Sequence, residues 1–198
     1  MVIALVFTLI LVLIIVSIVW GISIYNGLVS FVNQIRNAFS QIDVQLQRRY
    51  DLIPNLVETA KAYMAHERET LEAVIAARNQ AVQAAKQLKN APSPEAMQTL
   101  QSAEGALGGI LTRFFAVSEA YPDLKANHQM MQLQEELTST ESRIAFARQA
   151  YNDEVMRYNI KREIFPNSLI ASIFGFTKEE VWRSDDGSAI KKNVKVKF

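Results

Sequence analysis

The sequence predicts an all-α protein: an N-terminal transmembrane helix continuous with a long antiparallel four-helix bundle, followed by a short apolar C-terminal helix. Three observations carry this. Residues 1–25 contain no charged side chain, and the first charge in the chain is Arg36. Four later stretches repeat apolar residues at alternating steps of four and three, the spacing that puts them on one face of a helix. Only 7 Gly and 5 Pro occur in 198 residues, and most gather where those stretches end. The parts divide as residues 1–25, the span; 26–165, the bundle; 166–182, a short apolar segment; and 183–198, a flexible basic tail.

About 20 apolar residues in a helix cross the ~30 Å hydrocarbon core, and only a helix satisfies its own backbone there. The first 25 residues are apolar on every face, with Trp20 and Tyr25 placed as an interfacial aromatic belt. The run is too long for a signal peptide and has no basic leader, so it is expected to stay attached. Arg36, Arg48 and Arg49 follow it, which favours the N-terminus outside and the bulk of the chain in the cytoplasm, with a periplasmic body as the other placement.

Leu28, Val32, Ile35, Phe39, Ile42 and Leu46 form the stripe of the first bundle helix, which runs on from the span. A break is expected at Asp51-Leu52-Ile53-Pro54-Asn55, where Asp51 caps a second helix and Pro54 sits in its first turn. That helix carries Val57, Ala60, Met64, Leu71, Val74, Ala81, Ala85 and Leu88, and its alanines permit close approach. Ser93-Pro94 starts the third helix, whose stripe of Met97, Leu100, Leu107, Leu111, Phe114 and Tyr121 has Glu104 and Ser118 as polar members. Gly105, Gly108 and Gly109 weaken its middle or mark a tight crossing. Asn127 or Asp123 caps the fourth helix, which keeps its rhythm through Met130, Leu133, Ile144, Tyr151, Val155, Tyr158 and Phe165 and ends near Glu163. Short joints make the four alternate in direction and return Phe165 towards the bilayer. Leu169, Ile170, Ile173, Phe174 and Phe176 then either dock in the headgroup region or cap the lower end of the bundle. Lys191, Lys192, Lys195 and Lys197 give the tail its charge.

The balance of 21 Lys and Arg against 20 Asp and Glu offers nucleic acid no attraction. With no cysteine there is no thiol chemistry, and only His66 and His128 are available as imidazoles. His66-Glu67 lacks the second histidine of a zinc protease, because position 70 is Thr. Neither histidine follows a glutamate by three, as a di-iron bundle needs, and there is no phosphate loop or nucleophile elbow. No enzyme, metal site or cofactor is predicted. Polar residues at or beside the seams are His66, Glu67 and Arg78 on the second helix and Glu141, Arg148, Asn152 and Asn159 on the fourth. They read as an interhelical network fixing register, or as a partner site.

The chain resembles the LemA family of bacterial membrane-anchored helical proteins. The resemblance rests on Tyr25-Asn26, Asp51-Leu52-Ile53-Pro54-Asn55-Leu56-Val57, His66-Glu67-Arg68, Ala120-Tyr121-Pro122-Asp123-Leu124-Lys125, Leu133-Gln134-Glu135-Glu136-Leu137, Tyr151-Asn152, Tyr158-Asn159 and Phe165-Pro166. Gly27 and His128-Gln129 stand where the family usually has Asn-Arg and Glu-Asn. The resemblance implies an N-terminal anchor, an antiparallel bundle and no established enzymatic activity. It also implies an envelope setting whose neighbours include a membrane-bound stress metalloprotease. The expected function is a non-enzymatic scaffold that self-associates as a coiled-coil homo-oligomer on the lipid of the inner membrane, organising or shaping it. The alternative is an adaptor of a membrane-bound protease or envelope-stress system.

Overall fold

A computed structural model describes residues 1–183, and all the regular structure in them is helical. The helices are α1 (Val2–Lys61), α2 (Arg68–Asn90), α3 (Pro94–Ser118), α4 (Pro122–Lys125), α5 (His128–Glu163) and α6 (Asn167–Ile173). The chain forms two compact units, one of Met1–Phe39 with Gln149–Val181, the other of Ser40–Arg148 with the stretch that begins at Trp182. Both α1 and α5 contribute to each. The basic tail of the sequence reading lies, from Ser184 onward, outside the described residues.

The second unit is built on the seam of α1 beyond residue 40. Ile42, Leu46, Ile53, Leu56 and Ala60 are wholly buried, in the same four-three rhythm that begins at Leu28. The break expected at residues 51–55 does not occur: α1 continues to Lys61 with Pro54 inside it. A proline here removes the hydrogen bond to the carbonyl four residues back, that of Tyr50, and crowds it. Arg78 replaces the lost donor, its Nε lying 3.1 Å from the Tyr50 oxygen. The actual reversal comes at residues 62–67, where the Tyr63 and Met64 amides both donate to the Ala60 carbonyl and the Met64 side chain is fully buried.

The buried stripe of α2 is Leu71, Val74, Ala77, Ala81, Ala84 and Leu88, so Ala84 takes the place expected of Ala85. Those alanines face inward while α2 packs on α3, so the close approach they allow is used within this chain. At the start of α3 the Ser93 hydroxyl accepts from the Ala96 amide, 3.1 Å, with Pro94 in the first turn. At the start of α5 the Asn127 side chain accepts from the Met130 amide, also 3.1 Å. A neutral side chain there satisfies one of the orphan amides of a helix N-terminus.

In the first unit, α1 up to residue 20 is exposed at every position, while Leu28 and Ile35 are buried. Tyr151, Val155 and Tyr158 of α5 and Ala171 of α6 are buried as well. Phe165, expected on the inward stripe of α5, is instead 73 % exposed, because α5 ends at Glu163 and the chain has already turned. Gly175, with φ of +72°, ends α6 in the left-handed region that glycine enters without penalty, and the Phe176 amide donates back to the Ala171 carbonyl. This turn sends residues 176–181 back along α5.

Candidate functional site

A carboxylate is buried in the second unit: Glu104 on α3 is 3 % exposed. Arg49 of α1 meets it at 3.0 Å, and the Tyr50 hydroxyl donates to its other oxygen at 2.5 Å. Arg148 of α5 approaches to 4.0 Å. Arg49 also pairs at 3.0 Å with Glu141, whose side chain is half exposed, so two cations and two carboxylates form one electrically balanced cluster. The Arg148 guanidinium lies 4.8 Å from the centre of the Trp182 ring, a cation over an aromatic face. Gly108 leaves room beside Arg49: a Cβ at that position would stand 3.6 Å from the guanidinium.

Burial pushes the Glu104 carboxyl above its ordinary value, while Arg49, the Tyr50 hydroxyl and Arg148 pull it back. Burial and the charge of Glu104 push the Tyr50 phenol well up, and burial lowers the Arg148 guanidinium. Every member of the cluster has a complementary neighbour, the condition for keeping charges inside a protein. Its chemistry is that of a lock between α1, α3 and α5, and it holds no activated nucleophile.

The polar seam residues of the sequence reading fall in several places. Glu141 and Arg148 join the cluster. Arg78 serves the Tyr50 carbonyl. Glu67 accepts from the Tyr121 hydroxyl at 3.1 Å, while His66 is exposed beside a cleft of about 700 Å³ that also borders Glu67, Arg68, Glu69, Glu72 and Arg113. Among the described residues no group of three or more His, Asp or Glu is placed to hold a metal ion. Sequence reasoning missed Arg49 and Tyr50 as members of a site and took Glu104 only as a polar interruption of its stripe.

Asn159 and Asn152 lie in the first unit, half buried on α5. Asn159 grips the backbone of Glu179 twice: its amide donates to the carbonyl at 2.9 Å and its oxygen accepts from the amide at 3.1 Å. The Tyr158 hydroxyl donates to the Thr177 carbonyl at 2.7 Å, the Tyr151 hydroxyl to that of Glu180 at 3.0 Å, and Arg162 Nε to that of Phe176 at 2.9 Å. Tyr151, Tyr158 and Asn159 therefore clamp a returning segment that has no regular structure of its own.

Of the apolar C-terminal residues, Leu169, Ile173 and Phe174 are 55, 72 and 58 % exposed. Ile170 turns inward, its Cδ1 3.7 Å from where a Cβ on Gly21 would be. The Phe174 and Phe176 rings stand 4.8 and 5.5 Å from that of Tyr25. Thus α6 seats on α1 at the end of its charge-free run.

Two expected results follow from these contacts. Arg78→Met destabilises the fold by about 1–3 kcal/mol, the cost of leaving a buried carbonyl unpaired, as read from denaturant midpoints. In a Pro54→Ala background the restored amide serves the Tyr50 carbonyl, so the same change costs measurably less, and additive effects would refute the pairing. The second result concerns alkali. Burial and the charges of Glu179 and Glu180 push the Tyr151 phenol from its ordinary 10.0 up to about 12. The folded chain therefore keeps that proton when the unfolded chain loses it. This stability is complete below pH 10.0 and is lost as pH rises from there to about 12, a loss on the order of 3 kcal/mol. Denaturation across that window should show a smaller loss in Tyr151→Phe than in the natural chain.

The sequence model of the LemA family matches residues 38–198. Two proteins of Paramagnetospirillum magneticum, magnetosome proteins MamQ 1 and MamQ 2, are each 27 % identical over 178 residues, 80 % of this chain and 64 % of their own length. The magnetosome protein MamQ of Magnetospirillum gryphiswaldense is 27 % identical over 175 residues, 79 % of this chain and 63 % of its own. The chain thus spans less than two thirds of the length of the curated relatives it matches.

Proposed function

The chain belongs to the LemA family, and from that premise we propose that it is a non-enzymatic, membrane-anchored scaffold that self-associates side by side on a bilayer. The observation that carries the reading is the start of α1. A helix of mean hydropathy 3.4 over its most apolar 18 residues has none of that window buried within the chain, so the fold offers it no core to enter. A bilayer supplies one. Arg36, Arg48 and Arg49 beyond the run support a cytoplasmic body on a bacterial inner membrane, the side that basic residues favour.

Self-association is supported by the end of α5, where Met156, Ile160 and, just past the helix, Ile164 recur every four residues and are 54, 53 and 50 % exposed. Among the described residues, nothing covers the outer half of that stripe. A shared bilayer holds copies parallel and at one height, and confinement raises their effective concentration. The alternative, an adaptor for a membrane-bound stress protease, draws on the polar cleft beside His66 and Glu67.

The chain has no cysteine, so Met156→Cys and Ile160→Cys each place a single thiol on the stripe. Thiol crosslinking in intact membranes should yield mainly adducts between copies. A dominant adduct with a different protein favours the adaptor, and uncrosslinked monomer at normal expression contradicts the scaffold.

A further inference from the structure

We propose that α6 is a second membrane contact, an interfacial foot whose outer face sinks into the headgroup–acyl boundary of the leaflet from which α1 emerges. The proposal rests on the anchor reading of α1 and extends it to a separate part of the chain.

At 1.5 Å per residue, about 20 residues of helix match the ~30 Å hydrocarbon core. Trp20 and Tyr25, placed at the polar boundary, put the end of the core near Gly21. That is where α6 sits, with Ile170 against Gly21 and Phe174 against Tyr25. Its inward side is accounted for by Asn167, Ile170 and Ala171. The outward side presents Leu169 and Ile173, four residues apart, with Phe174 beyond them and Phe165 before them, all more than half exposed. So many large apolar side chains left in water on one short segment mark a contact surface.

The neighbouring charges match a phospholipid surface. The last turn of α5 brings Lys161, Arg162 and Glu163 next to this segment; Arg162 is fixed there by its bond to the Phe176 carbonyl and pairs with Glu163 at 3.5 Å, so Lys161 leaves the turn net positive. Basic residues beside an apolar face are the pattern of helices that lie in the interface, buried about 5–10 Å into it. The groove between the two helices, about 540 Å³, is lined almost entirely by apolar groups such as Ile14, Ile18, Ile22 and Phe174, and acyl chains would fill it. A foot of this kind fixes the depth and rotation of α1, which a single span alone leaves free.

The test uses single nitroxide labels on cysteines at Ile173, Leu11 and the exposed Gln83 of α2, each in the full chain in vesicles of phosphatidylethanolamine and phosphatidylglycerol. Collision rates with oxygen and with a water-soluble nickel complex report depth. The proposal expects the Ile173 label to be shielded from nickel several-fold relative to Gln83, at a depth shallower than Leu11. If Ile173 is as accessible to nickel as Gln83 while Leu11 reads the bilayer core, the foot is refuted and the anchor stands. If Leu11 is itself accessible, the anchor reading falls and takes the foot with it. If Ile173 is shielded but dipolar broadening shows a second label beside it, another copy of the chain covers the face and the proposal is overturned.

Discussion

Glu104→Ala lowers the unfolding free energy by about 3–5 kcal/mol, the cost of removing one partner from a buried ion pair. The loss is large because Arg49, 4 % exposed, keeps only the half-exposed Glu141, and Arg148 then faces it without the buried carboxylate between them. The Tyr50 hydroxyl also loses its acceptor. Denaturant unfolding of the full chain in detergent, followed by helical circular dichroism, measures the effect. Replacing the pair together, Glu104→Leu with Arg49→Met, should recover most of it, since apolar residues of similar volume often substitute for a buried pair at little cost. A double variant as unstable as the single one would mean that the pocket depends on the charges themselves.

Leu11→Arg combined with Leu13→Arg moves the protein out of the membrane. Each charge near the centre of a span costs about 2.5–3.5 kcal/mol of insertion free energy, so the pair removes about 5–7 kcal/mol. Both side chains are more than half exposed, so the change disturbs little packing within the chain. After an alkaline carbonate wash the natural chain should sediment with membranes and the double variant should appear in the supernatant. A variant that sediments like the natural chain would count against the span.

The class of fold was legible because helix periodicity is written in residue type: the rhythm from Leu28 onward is the buried seam of α1. Its extent was misread at one residue. Pro54 looked like the start of a helix, and stopping there hid Ile53 and Leu56 as further positions of the same rhythm and gave Ala60 to a separate helix; all three are buried in the seam of α1. One further step of three from Leu46 lands on Arg49, a charge inside the seam that pairs with Glu104 on the stripe of α3. What no local pattern contains is the donor that makes the proline tolerable, because Arg78 lies 28 residues from Tyr50. The Tyr-Asn pairs of α5 were visible as a repeat on one face. Their partners are backbone groups of residues 177–180, which carry no side-chain signature to find.

The most direct test of a membrane-anchored, self-associating scaffold is the native mass of the full chain released from lipid nanodiscs. The account predicts one defined multiple of the 22.3 kDa chain that retains lipid. A lipid-free monomer of 22.3 kDa as the dominant species would contradict it.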